Sequence, residues 1–224
     1  MTSNPSDTTR KILIALGAGI LGNLLSFLSS LLTPMQPQVS FDFSHLATFL
    51  AAIALGPFYG MIAGAAGSIY PYMHYAVFGI YGPFWGLAII FGKTMTGFIC
   101  GLLRNKMPVF LAVNISYIPE SLFTFGFTQL MILFLPAGLL DGKIISGIII
   151  EGWVEVMIFS LLIDTVMRQK IIETAVLMLE IFIIMFLVHK EFINTLLILL
   201  LITIITMILF EIIKPLVKKD SGSG

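Results

Sequence analysis

Phe41-Asp42-Phe43-Ser44-His45 leads into an apolar run that stops at Gly56-Pro57, and Phe58-Tyr59-Gly60-Met61-Ile62-Ala63-Gly64 follows. Asp42 or Ser44 caps a helix here, because a short polar side chain accepts hydrogen bonds from amides that lack an intrahelical partner. Gly56-Pro57 ends that helix and starts the next. Gly60 and Gly64 lie four apart on one face, where missing side chains let a second helix backbone come close. After His45 the stretch carries no charge, so both helices belong in an apolar medium.

The rest of the chain agrees. Of 224 residues, 58% are hydrophobic and 11% are Asp, Glu, Lys or Arg, against about 25% charged in an average soluble domain. Mean hydropathy is +1.04. A soluble domain of this composition would expose far more contiguous apolar surface than soluble monomers do. A soluble enzyme, a nucleic-acid binder and a disordered chain are therefore excluded, leaving an all-α integral membrane protein. Net charge is zero and says nothing of partners. The single cysteine, Cys100, lies in an apolar run, has no internal disulfide partner and reads as a packing residue.

About 20 apolar residues cross the hydrocarbon as a helix. Eight segments qualify or nearly so: 12–32, 45–55, 58–78, 83–103, 109–135, 144–167, 171–188 and 192–213. The second is short, and is tilted, half-buried in protein or extended backwards through Phe41. With the N-terminus in the cytoplasm, Arg10, Lys11, Arg104, Lys106, Arg168, Lys170, Lys214, Lys218 and Lys219 fall at inner ends and only Lys143 and Lys190 at outer ends. Such a bias sets orientation and puts both termini inside a cell membrane. The first apolar stretch is too long for a cleaved signal core. From 171 to 213 there is no glycine and no proline, so residues 170–219 read as a plain transmembrane hairpin with a basic tail, added to a core over 10–169. The Ser221-Gly222-Ser223-Gly224 end is a flexible tail.

Ionisable residues within spans need a partner or a purpose, since each costs at least about 2.5–3.5 kcal/mol at the bilayer centre. Lys93 lies mid-span and either pairs with Glu155 or Glu120 or meets a ligand. Glu120 follows Pro119 in mid-span. Glu151 and Glu155 are four apart and share a face. Asp164 is placed to pair with Arg168, and Glu180 falls in the hairpin. Aromatic residues crowd the outer half: Phe41, Phe43, Tyr70, Tyr72, Tyr75, Tyr81, Phe84, Trp85, Phe123, Phe125, Phe127 and Trp153. An interfacial belt accounts for many of them; the walls of a small-molecule pocket are the other reading. Asn114, Gln129, His74 and Tyr117 add donors and acceptors. His45 and His74 are too isolated for a metal site, and no metal or cofactor is expected. The chain has no phosphate-binding Gly-x-x-x-x-Gly-Lys loop, no His-Glu-x-x-His and no Gly-x-Ser-x-Gly, so it is not read as an enzyme.

A second block, Tyr81-Gly82-Pro83-Phe84-Trp85-Gly86, continues through Gly92-Lys93, Gly97 and Gly101 to Arg104, and the first span carries Ala15, Ala18, Gly19 and Gly22. In order and spacing this set resembles the substrate-binding S component of energy-coupling factor (ECF) vitamin transporters. The likeness runs from Arg10 to about Gln169. It rests on the small-residue first helix, the Asp-Phe-Ser opening of the second, the Gly-Pro-x-x-Gly-x-x-x-Gly turn into the third, and the glycine-rich fourth helix ending in a basic residue.

The resemblance implies a six-helix core that binds a vitamin or similar small molecule. It also implies a membrane coupling subunit and two ATPases as partners, with nucleic acid playing no part. The loop 33–44, stiffened by Pro34 and Pro37, would cap a pocket built from Phe41, Asp42, Tyr81, Trp85, Glu120, Gln129, Glu151 and Trp153, with Lys93 at its floor. Ala15, Ala18, Gly19 and Gly22 would dock the coupling subunit. Two other readings stand beside it: a ligand-free membrane scaffold whose hairpin holds another subunit, and a lipid-modifying enzyme using Glu120, Glu151, Glu155 or His74.

Overall fold

The structure, a computed structural model, describes residues 5–32, 34–36, 39–40, 42–79, 82–134 and 142–167. The expected hairpin over 171–213 and the pairing of Asp164 with Arg168 lie outside them. The described chain is helical apart from one short antiparallel pairing of Pro34–Gln36 with Val39–Ser40 in the expected cap loop. The helices are α1 (Pro5–Leu32), α2 (Ser44–Leu55), α3 (Pro57–Gly67), α4 (Ile69–Pro71), α5 (Pro83–Leu103), α6 (Val109–Ile132) and α7 (Gly142–Met167). A π-helical turn, Tyr72–Val77, continues α4. Within α1, α5 and α6, the stretches Ser6–Leu31, Gly86–Leu103 and Val109–Ile132 are long and apolar enough to cross a membrane.

The short second segment resolves as the centre of the bundle. Every residue of α2 is buried, with α1, α3, α5 and α7 packed around it. At about 1.5 Å per residue its 12 residues reach about 18 Å, well short of the hydrocarbon thickness. Its ends are therefore finished by neighbours. The Asp42 carboxylate accepts the Ser44 N–H at 3.1 Å, and the Asp42 carbonyl accepts the His45 N–H at 3.3 Å. At the other end Gly56 takes φ 103°, a left-handed conformation that side chains resist. There the Arg104 guanidinium, at the end of α5, donates to the Ile53 carbonyl at 3.2 Å.

The expected single span 58–78 is instead broken after Gly67. Pro71 lacks an N–H, and its ring crowds the carbonyl four residues back, which is that of Gly67. Backbone groups freed in an apolar setting need other partners, and α1 supplies them. The Asn23 amide donates to the Ala66 carbonyl at 2.7 Å and accepts the Tyr70 N–H at 2.7 Å. Ser68 also donates to the Ala65 carbonyl at 2.6 Å.

Small residues set the closest approaches. A Cβ on Gly97 would overlap the Gly60 carbonyl, one on Gly60 would come within 2.7 Å of the Ala52 Cβ, and one on Gly64 within 2.8 Å of the Lys93 carbonyl carbon. So α3 and α5 meet backbone to backbone. The first helix brings a correction. Ala15, Ala18, Gly19 and Gly22 are buried inside the bundle, where a Cβ on Gly19 would overlap Ala66 and one on Gly22 would lie 3.3 Å from Ser44 Cβ. They seat α1 on α3 and α2 and are not an outward docking face. The outward face of α1 carries Leu13, Ile20, Leu24 and Leu31, as lipid contact requires.

Candidate functional site

Six ionisable residues converge in the half of the bundle nearest the α1–α2 connection. The start of α2 brings Asp42 and His45, α5 brings Lys93, α6 brings Glu120, and α7 brings Glu151 and Glu155. These six, with Tyr75, Tyr117, Phe127 and small apolar residues, line one cavity of about 170 Å³.

Two polar clusters build its floor. In the first, the Lys93 ammonium donates to the Asp42 carboxylate and the Ser44 hydroxyl. Lys93 is 2% exposed, so its charge is compensated inside the protein. Asp42 stands just outside α2. Burial acts to raise its carboxyl, but Lys93 beside it, helped by His45, outweighs burial and holds it at about 2. The expected partners of Lys93 are Glu120 or Glu155; the partner found is Asp42, two residues before the start of α2, which packs against α5.

In the second cluster the His45 ring bridges α6 and α7. Its Nε2 lies 3.2 Å from Glu120 Oε1 and its Nδ1 3.2 Å from Glu155 Oε1. Thr96 donates to the other Glu120 oxygen, and Glu155 Oε2 accepts the Asp42 N–H at 2.8 Å. For both ring contacts to be hydrogen bonds, two protons must be shared among the imidazole and the two carboxyls. Wherever they sit, the triad then carries one net negative charge. Glu151 belongs to neither cluster. Its Oε1 is buried and has no hydrogen-bond partner among the described residues.

Two glycines make room for these side chains. A Cβ on Gly92 would come within 2.9 Å of Glu120 Cγ, and one on Gly152 would overlap the Tyr117 hydroxyl and lie 3.0 Å from its ring. Tyr117 stands edge-on to His45, with centroids 5.8 Å apart, and edge-on to Trp153 at 5.3 Å.

Of the residues expected in a pocket, Asp42, Lys93, Glu120 and Glu151 line the cavity. Trp153 stands beside it, half-buried, its indole N–H donating to Ser121 Oγ at 3.0 Å. Gln129 is exposed on α6. Thr124, Phe127, Thr128 and Met131 face the cavity at helical spacing, and position 129 is turned off that face. Phe41 and Tyr81 lie outside the described residues, as does the Trp85 side chain. Asn114 donates to Ser160 Oγ at 2.8 Å and ties α6 to α7. His74 stacks on Tyr70 at 5.4 Å, away from the cavity.

The pocket expected from the sequence leaves out His45 and Glu155, although Glu155 is named there as a partner for Lys93. Charge balance is the signal that finds them. Glu120, Glu151 and Glu155 fall within spans that hold a single lysine, so any other basic group in those spans is expected to meet a carboxylate. No group of three or more His, Cys, Asp or Glu among the described residues has the arrangement of a metal site. Compared with protein-family models, curated proteins and solved structures, the chain matches none of them.

Proposed function

We propose that this protein is the membrane-embedded binding subunit of a small-molecule uptake system of the ECF kind, with the S-component core over 10–169 and a transmembrane hairpin over 170–219. One observation carries the reading: six ionisable residues, brought by the start of α2 and by α5, α6 and α7, meet around one aromatic-walled cavity. Polar groups converging in an apolar pocket are the usual make-up of a small-ligand site, and such residues inside a membrane protein mark a binding place or a pathway. The order of motifs from Arg10 to Gln169 points to the same family.

In this reading the chain sits in the cell membrane with both termini in the cytoplasm. The cavity opens towards the outside, and the 33–44 loop closes over it. Transport energy comes from two ATPase subunits through a membrane coupling subunit. With Ala15, Ala18, Gly19 and Gly22 engaged inside the bundle, that subunit meets some other face of the protein. The chain itself carries out no covalent chemistry.

The test is to purify the full chain in mild detergent, denature it, and identify by mass spectrometry any small molecule released. One compound in stoichiometric amount, which restabilises the emptied protein on return, is the expected result. An empty protein that no vitamin-like compound stabilises against heat would instead favour the scaffold reading, with the 171–213 hairpin as the holding element.

A further inference from the structure

The cavity's charge and size narrow the class of ligand. The Asp42–Lys93 pair is neutral, the Glu120–His45–Glu155 triad carries one net negative charge, and Glu151 adds a carboxyl whose Oε1 has no hydrogen-bond partner among the described residues. Among the described residues, the basic side chains that line the cavity are Lys93 and His45, and both are already engaged. An excess of carboxylate in an apolar setting is costly unless a positive charge or a bound proton compensates it. Tyr75, Tyr117 and Phe127 offer aromatic surface, which attracts cations. A cavity of about 150 Å³ accommodates one benzene ring, and this one, at about 170 Å³, is of that class.

From these observations we infer that the site takes a compact ligand, one ring in size, bearing a positively charged nitrogen whose N–H groups donate to Glu151. This rests on the binding-subunit reading above. Lys93 and His45 do not contact the cation. They hold Asp42, Glu120 and Glu155 in place and set how much negative charge is left over. Glu151 stands nearer the start of α7 than Glu155 and has Oε1 unengaged, so it is the first carboxyl to which a ligand N–H can bond without breaking an existing pair.

The test uses three probes of nearly equal shape and different charge: benzamidine (cationic), benzamide (neutral) and benzoate (anionic). Their affinity for the full-length protein in detergent, freed of any co-purified compound, is read by calorimetry and by thermal stabilisation. A charge-assisted hydrogen bond is worth about a tenfold or larger factor in affinity. Benzamidine is therefore expected to bind at least about tenfold more tightly than benzamide, with benzoate weakest. Glu151→Gln, which keeps the side chain's shape, is expected to shrink the benzamidine preference to within about threefold while benzamide affinity stays unchanged. Should that variant fail to fold, the ranking of the three probes on the unaltered protein still decides. Benzoate or benzamide binding as tightly as benzamidine would overturn the inference, as would a preference undiminished in Glu151→Gln. The binding-subunit reading fails separately. If no probe binds but a neutral or anionic compound is released from the purified protein and rebinds, the charge assignment falls and the subunit reading stands. If nothing binds and nothing is released, both fall.

Discussion

The two sides of α5 hold their neighbours by opposite means. Towards α3, Gly97 approaches so closely that no side chain fits between the two backbones. Towards α2 and α6, Lys93 and Thr96 reach out with polar atoms to Asp42, Ser44 and Glu120. The contrast reflects the solvent. In lipid there is little hydrophobic gain from pressing helices together, so close packing of small residues and polar contacts between helices remain. The glycine seam is strict about volume and indifferent to charge. The cavity side is strict about charge, and about volume at Gly92 and Gly152, where a side chain would run into Glu120 and Tyr117.

The largest expected effect lies on the cavity side. Lys93→Met removes a buried ammonium and leaves Asp42 without its partner, a loss of about 3–5 kcal/mol for a broken buried pair. Thermal unfolding in detergent measures it. Adding Asp42→Asn, which removes the stranded charge, should return a large part of the loss, because residues in one network do not contribute additively. If the double variant is as unstable as the sum of the singles, the pair is not what holds the start of α2 to α5.

The seam comes next. Gly97→Val pushes a branched side chain into the Gly60 carbonyl, and overpacking of this kind costs about 1–3 kcal/mol, sometimes more. No change elsewhere in charge should rescue it, whereas an electrostatic origin would let Lys93 and Asp42 variants alter its size. Unchanged stability in Gly97→Val would mean that α3 and α5 do not meet along this line.

The seam was the more legible half. Glycines four apart announce close approach whichever helix they meet, so Gly60, Gly64, Gly97 and Gly101 could be read without knowing the partner. The polar half could be read only as an inventory. That Lys93 needed an anion followed from its depth; which anion did not, because Glu120, Glu155 and Asp42 are equally plausible until the register of four helices is fixed. Asp42 prevails through its place in the turn entering α2. His45 reads from the sequence only as too isolated for a metal site. Only the sum of charges over several spans, taken together, exposes its role. The first helix misled for a related reason: Ala15, Ala18, Gly19 and Gly22 mark a surface of close approach, but spacing alone does not say whether the approaching backbone is the chain's own or a partner's.

The smallest effect separates those alternatives within α1 itself. Gly17 and Gly19 lie two positions apart on the same helix, yet a Cβ on Gly17 would meet nothing within 4 Å while one on Gly19 would overlap Ala66. Gly17→Ala should therefore be neutral or stabilise by up to about 1 kcal/mol, the helix-propensity difference between the two residues. Gly19→Ala gains the same propensity, but the new methyl must displace α3, so its net effect is a loss of stability. The comparison cancels backbone effects common to both positions and leaves only what faces each residue. Equal melting temperatures for the two variants in the isolated subunit would mean that α3 does not cover Gly19, and the small-residue face would again be open to a partner.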